Sequence, residues 1–282
     1  MATANREVYN RQEVAAHYAE LNYLTYCEQL LFDIYIKPGS AVLDLGVGGG
    51  RTTPYLSSRA SRYVGIDYAS EMIRACRQKF PGLEFLVAEA SHLPDLASCS
   101  FDAIVCAFNG LDYVIPDDAR ARCLEECHRV LKPKGVLIFS SHNPRSIFVR
   151  PVWNRALARR FADGLGGPGH LSRAIVFCLV GSAAAMRALL LATWASARRI
   201  IHRTPSRAFW AGEGYLVDPV HGGLITHYGT PTRVISELEQ REFCILRVLG
   251  NDYPSSSGRY TTDWYYYVFS KLDSAGSGDV CA

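Results

Sequence analysis

Residues 42–53 read Val-Leu-Asp-Leu-Gly-Val-Gly-Gly-Gly-Arg-Thr-Thr. The apolar run Ala41 to Leu45 has the character of a buried strand, and it enters a turn in which Gly46, Gly48 and Gly50 let the backbone come close to a ligand without side-chain collision. Asp67 stands 21 residues after Gly46, at the end of a second apolar run, Arg62 to Ile66. A carboxylate there accepts hydrogen bonds from two ribose hydroxyls, so turn and acid together specify adenosine. The spacing is Asp-x-Gly-x-Gly-x-Gly rather than the dinucleotide pattern Gly-x-Gly-x-x-Gly. Asp44 brings a negative charge into the turn, where a pyrophosphate would be repelled and the cationic end of an amino acid would be welcome.

Outward from this stretch the pattern alternates. Upstream, apolar positions at helical spacing (Val14, Tyr18, Leu21, Leu24, then Leu30, Leu31, Ile34) predict one or two helices over 11–35, broken by Pro38-Gly39. Downstream we expect a short helix over 51–57, a helix over 70–79, strands over 84–87 and 101–107, a helix over 117–131 and a strand over 135–140. A helix over 231–240 and strands over 243–249 and 264–270 follow. The reading is an α/β fold: a Rossmann-like, doubly wound, seven-stranded sheet, mostly parallel with the last strand antiparallel, and a helical insert after the fifth strand. Its divisions are an N-terminal helical lid over 1–36, a core over 37–144 and 208–272, an insert or cap over 145–207, and a loose tail over 273–282.

Composition agrees with a globular chain: 282 residues, 49% hydrophobic, mean hydropathy near zero. No secretory signal or membrane span is evident, and a cytoplasmic location is expected. The nine cysteines are odd in number and scattered, which suggests reduced core thiols; Cys123 and Cys127 followed by His128 lack a second pair at zinc-ligand spacing. No metal is expected. The net charge of +3 is unevenly spread, because residues 145–207 hold eleven arginines, no lysine and the single acid Asp163, a local +10. Two helices are expected in that insert, near 151–162 and 172–202. The second is long and apolar with a basic end, suited to an anionic or lipid-linked partner or to peripheral contact with a membrane surface, or simply packed on the core with its arginines solvated.

Five segments in order resemble the motifs of class I S-adenosylmethionine-dependent methyltransferases: Val42 to Thr53, Tyr63 to Ile73, Val87 to Leu93, Phe101 to Tyr113 and Arg129 to Gly135. The resemblance covers about 20 to 145 and, more loosely, 208 to 271. It implies S-adenosylmethionine as cofactor, with Asp44, Gly46, Gly48 and Gly50 around the methionine portion, Asp67 on the ribose, Tyr68 and Met72 of the second motif beside it, Glu89 and Ala90 at the adenine, and Phe108 near the sulfonium. Relatives mostly carry Asp where Glu89 stands. Tyr9, Tyr18 and Tyr23 resemble aromatic residues of a cofactor-covering lid, though ordinary aromatic packing explains them as well.

Methyl transfer is an in-line displacement, and a hydroxyl acceptor must also lose a proton. Histidine suits that task. His142 and Asn143 follow the fifth strand, and His221 and His227 bracket a segment before the final helix, with Asp218 available to orient His221 and Tyr228 adjacent. Asn109, Asp112 and Tyr113, after the fourth strand, are further acceptor contacts. The expected activity is methylation of a hydroxyl on a small molecule such as a sugar, glycan precursor or natural product. Rival readings are a small-molecule N-methyltransferase, an RNA methyltransferase suggested by the arginines but lacking the Asn/Asp-Pro-Pro-Phe/Tyr signature, and a non-enzymatic cofactor-binding protein at a membrane surface.

Overall fold

Short apolar runs separated by amphipathic helices fold as the alternation requires. The structure is a computed structural model and describes residues 2–146, 211–217, 224–255, 258 and 262–273. The strands of the main sheet are β1 (Ser40–Leu45), β2 (Ala60–Asp67), β3 (Glu84–Val87), β4 (Phe101–Cys106), β5 (Leu131–His142), β8 (Phe243–Gly250) and β9 (Trp264–Lys271). They lie in the order β3-β2-β1-β4-β5-β9-β8. The pairs β1–β2, β1–β4, β2–β3 and β4–β5 are parallel. The last strand runs antiparallel to β8, as the bonds Leu272 N to Glu242 O and Asn251 N to Trp264 O require.

Reversal of strand order at β1 puts the glycine turn at a crevice beyond the carboxyl ends of the central strands, where open α/β sheets bind ligands. The central strands are buried on both faces: Val42, Leu43, Leu45, Ile104 and Val105 have almost no exposed surface. Each such side chain contributes roughly 1.5–3 kcal/mol by leaving water, and truncating Leu43 to Ala would cost about 2–5 kcal/mol.

The helices of this layer are α4 (Thr53–Arg59), α5 (Ser70–Lys79), α6 (Asp117–Val130) and α7 (Pro231–Glu239). In α6, Cys123, Leu124, Cys127 and Val130 make the buried stripe at helical spacing. Arg120 belongs to the same stripe and is buried, which its partners explain: Nε and Nη2 donate to Glu237 of α7 and Nη1 donates to Leu111 O at 2.9 Å.

Upstream stand α1 (Ala2–Tyr9), α2 (Gln12–Glu20) and α3 (Tyr26–Tyr35). α1 lies ahead of the stretch over 11–35 whose periodicity predicts helices, within the span 1–36 expected as a helical lid. α3 begins with a capping box, in which the Thr25 hydroxyl accepts from Glu28 N and the Glu28 carboxylate accepts from Thr25 N.

A separate antiparallel pair, β6 (Glu213–Val217) with β7 (Ile225–Gly229), was not foreseen. The chain forms two compact units. One comprises Met1–Ser141, Val234–Leu249 and Tyr266–Ala282; the other comprises His142–Arg233 and Gly250–Tyr265. The helices expected near 151–162 and 172–202 lie outside the described residues. Among the described residues no helix is long and apolar enough to cross a membrane. Among the described residues, Cys27, Cys76, Cys99, Cys106, Cys123 and Cys127 are free thiols.

Candidate cofactor site

The turn after β1 is built from glycines that serve different purposes. Gly46, Gly48 and Gly50 have φ of 74°, 55° and 81°, a backbone region that side chains resist. Gly46 N and Val47 N donate to Ile66 O at 2.8 and 2.9 Å, tying the turn to the end of β2. Gly49 is needed for space: a Cβ there would fall on the backbone of Tyr18 and Ala19, so the end of α2 rests directly on the turn. Lys79 Nζ holds that end by donating to Ala19 O at 2.7 Å.

Asp67 closes β2 and faces the turn. Its Oδ2 accepts from Gly48 N at 3.0 Å and its Oδ1 from Ala69 N at 2.9 Å. Burial raises its pKa to about 6, the two backbone donors oppose the rise, and the charge of Glu89 adds to it. Each carboxylate oxygen keeps a lone pair for a further donor.

A cavity of about 300 Å³ opens here, at the small end of the range for ligand pockets. Of the residues expected at the cofactor, Gly46, Asp67, Tyr68, Glu89 and Ala90 line it, joined by Tyr113. S-adenosylmethionine fits this donor and acceptor set: an acidic acceptor pair for ribose, a glycine wall where backbone must come close, and an aromatic ring and small residues toward the base. Glu89 is half exposed and ion-paired with Arg6 of α1 at 3.0 Å.

Other expected cofactor residues stand behind the cavity wall. Asp44 is buried, and its Oδ2 accepts from the Thr52 hydroxyl at 2.7 Å and the Tyr63 hydroxyl at 2.9 Å. It braces the turn from beneath. Burial lifts its pKa to about 6 against these two hydrogen bonds and the charge of Arg51. Met72 is buried with Ala15 and Ala69, beneath Tyr9, Tyr18 and Tyr68. Tyr9 sits edge-on to Tyr18, Tyr68 and Tyr113 at 5.9, 6.2 and 6.0 Å between ring centres. Tyr9 and Tyr18 pack on this cluster, with the Tyr18 ring also beside Gly48, whereas Tyr23 is exposed with Arg51 over its ring.

The segment after β4 is strained. Phe108 and Asn109 have φ of 55° and 60°, and a 3-10 turn, Gly110–Tyr113, follows. Asn109 N donates to the Ser140 hydroxyl at 2.8 Å. Phe108 is 39% exposed, with the Arg51 guanidinium 4.5 Å from its ring centre. Asp112, expected to touch an acceptor, is instead 0% exposed: it accepts from the Ser141 hydroxyl at 2.8 Å and lies 3.6 Å from Arg120. Its position suits it to fixing the loop rather than to contacting an acceptor. No motif in the sequence marks Arg120, Arg51 or Glu28 as partners in this region, because their contacts join distant segments.

The remaining expected acceptor residues belong to the second unit. His142 is the last residue of β5 and is partly exposed, with its ring 4.9 Å from that of Tyr228. Asn143 is buried and turns the chain: Nδ2 donates to Thr262 O at 2.9 Å and Oδ1 accepts from Arg145 N at 3.1 Å. His227 on β7 is buried, edge-on to Tyr215 at 5.5 Å, with Nε2 3.6 Å from Glu213 of β6. Glu213 was not singled out in the sequence; its pairing with His227 depends on the unforeseen β6–β7 register. His221 and Asp218 lie outside the described residues.

Comparison with known proteins shows what the chain is similar to. A model of the methyltransferase domain matches residues 42–135. A fatty-acid O-methyltransferase of Mycolicibacterium smegmatis is 35% identical over 124 residues, covering 43% of this chain and 43% of that protein. A demethylmenaquinone methyltransferase of Paenarthrobacter aurescens is 30% identical over 118 residues, covering 42% and 44%. The chain thus matches less than half the length of these curated relatives. Among solved structures, an S-adenosylmethionine-dependent methyltransferase of Methanosarcina mazei shares the fold with a TM-score of 0.56 at 21% identity, over 89% of this chain and 99% of that one. A Burkholderia thailandensis 1,6-didemethyltoxoflavin-N1-methyltransferase, solved with S-adenosylhomocysteine, does so with a TM-score of 0.51 at 15% identity, over 87% and 76%. Residues 42–135 thus match a methyltransferase domain, and the chain shares the fold of solved S-adenosylmethionine-dependent methyltransferases.

Proposed function

We propose that the whole protein is a methyltransferase that moves the methyl group of S-adenosylmethionine to a hydroxyl oxygen of a small organic acceptor, with His142 as the base. The cofactor supplies an electrophilic methyl on sulfur. Asp67 holds the ribose hydroxyls, the glycine turn admits the methionine portion, and the braced loop over 108–113 fixes the wall beside it. His142 would take the proton of the acceptor hydroxyl on a ring nitrogen as that oxygen is methylated.

The observation behind this choice is the difference between the two candidate histidines among the described residues, His142 and His227. His142 is partly exposed and its ring is steadied by Tyr228, whereas His227 is buried between Tyr215 and Glu213. A base must reach its acceptor, so His227 is better suited to bracing the β6–β7 pair. Among the matched proteins, the fatty-acid O-methyltransferase is named for an oxygen acceptor and the 1,6-didemethyltoxoflavin enzyme for a nitrogen one.

The test follows methyl transfer from labelled S-adenosylmethionine to a panel of phenols, hydroquinones, sugars, fatty acids and amines, for the wild type and His142→Ala. Loss of the base should lower kcat on hydroxyl acceptors by about 10²–10⁴-fold with cofactor affinity unchanged. A carboxylate is already ionised and needs no base, so turnover of fatty acids alone, indifferent to His142, would overturn the hydroxyl assignment. Turnover of amines alone would overturn the oxygen acceptor as well.

A further inference from the structure

The first helix brings a polar side chain to the cofactor cavity that neither the motifs nor the comparisons assign. Asn5 of α1 is 3% exposed and lines the cavity together with Tyr68, Glu89, Ala90 and Ser91. These residues follow the ends of β2 and β3. With ribose at Asp67 on one side, they bound the part of the cavity left for the base. A buried carboxamide is uncommon on a short terminal helix, where polar residues ordinarily face water.

The neighbours of Asn5 fix its place. Arg6 donates to Tyr68 O at 3.4 Å, pairs with Glu89 at 3.0 Å, and sets its guanidinium 5.9 Å from the Tyr68 ring centre. Just beyond the helix, Asn10 Oδ1 accepts from the Ser70 hydroxyl at 3.2 Å and from Glu71 N at 3.4 Å. The helix is therefore tied, at the residue after Asn5 and again just past its own end, to the same β2–α5 and β3 segments that border the base.

We propose that Asn5 reads the adenine edge, and that the Arg6–Glu89 pair is a positioning contact that holds the helix over it. A carboxamide offers two donors and an acceptor oxygen, so contacts within the protein need not saturate it. Adenine presents an exocyclic amine beside a ring nitrogen, a donor next to an acceptor, which is the complement of an asparagine side chain. Glu89 alone supplies only acceptors. The proposal rests on the cofactor reading above and extends it to the base.

The experiment compares adenosine with purine riboside, which lacks only the exocyclic amine, as competitors for S-adenosylhomocysteine in calorimetric titrations. Wild-type protein should prefer adenosine by about 3- to 10-fold, the worth of one hydrogen bond. In Asn5→Ala the preference should fall within twofold, with adenosine losing more affinity than purine riboside, which gives up only the contact at the ring nitrogen. Arg6→Ala, which loosens the helix, should weaken both nucleosides alike and keep the preference. An unchanged preference in Asn5→Ala, or equal weakening of both nucleosides by that variant, overturns the proposal. Failure of the wild type to bind S-adenosylhomocysteine would sink the cofactor reading itself, a separate outcome. Thermal melting of each variant reports whether the fold is intact.

Discussion

The carboxylate of Glu28 meets the guanidinium of Arg51 in a two-pronged contact, Nη1 to Oε2 at 2.7 Å and Nη2 to Oε1 at 2.6 Å, with both side chains buried. Arg51 follows the glycine turn directly. It also donates to Tyr23 O at 2.8 Å and lies against the rings of Tyr23 and Phe108. One guanidinium thus joins the start of α3, the turn after β1 and the strained loop after β4. Glu28→Gln leaves that cation without its counter-charge and should lower stability by about 3–5 kcal/mol, measured by urea unfolding. A double change to apolar residues, Glu28→Leu with Arg51→Met, should cost less than the single one.

Gly49→Ala tests how firmly α2 rests on the turn. The added methyl meets the backbone of Tyr18 and Ala19, which cannot swing aside as a side chain could. Loss of the α2 contact should shorten the protection of amides over 12–20 in hydrogen exchange and weaken cofactor binding at least tenfold, on the order of 1.4 kcal/mol. Unchanged protection would show that the helix is held from elsewhere.

Cofactor affinity should depend on pH through Asp67. Its folded pKa is raised to about 6, chiefly by burial, so the protonated form is favoured in the free protein below that value. Ribose hydroxyls donate best to the ionised carboxylate. Affinity for S-adenosylhomocysteine should therefore be steady above about pH 7 and decline by up to about tenfold per unit below about pH 6. Asp67→Asn should bind more weakly and lose this slope in calorimetry.

Asp44 makes a matching prediction about stability. Because its folded pKa of about 6 lies above the unfolded value, its proton stabilises the fold below about pH 4, and that contribution is lost as pH rises through about 6. Asparagine keeps an oxygen for the Thr52 and Tyr63 hydroxyls without the buried charge. The stability of Asp44→Asn relative to wild type should thus increase from pH 4 to pH 7, by roughly 1–3 kcal/mol. A difference that stays constant with pH would contradict the assignment of the titration to Asp44.

Periodicity sufficed for the main sheet because parallel strands buried on both faces leave continuous apolar runs such as Ala41 to Leu45. It did not reach α1 and missed the β6–β7 pair. α1 is short and weakly patterned, and its hold on the rest comes from single contacts such as Arg6 to Glu89 that no local pattern encodes. Among candidate site residues, those tied to backbone geometry were legible: Gly46 and Asp67 both face the cavity. Charged residues were harder to place. Asp44 and Asp112 read as ligands because an acid in a turn suggests one, yet each is engaged by hydroxyls of neighbouring segments. Such contacts join residues 8 to 29 positions apart and emerge only from the folded chain.

Two thiols, those of Cys106 and Cys123, are buried and form part of the cavity wall. Burial holds the Cys106 thiol well above its ordinary pKa, so it is a slow nucleophile at neutral pH. A small alkylating reagent would reach these sulfurs through the cavity proposed above to take the nucleoside. Mass spectrometry of their labelling, with and without S-adenosylhomocysteine, would turn the wall into a natural gauge of occupancy, with no fluorophore and no turnover needed to read it.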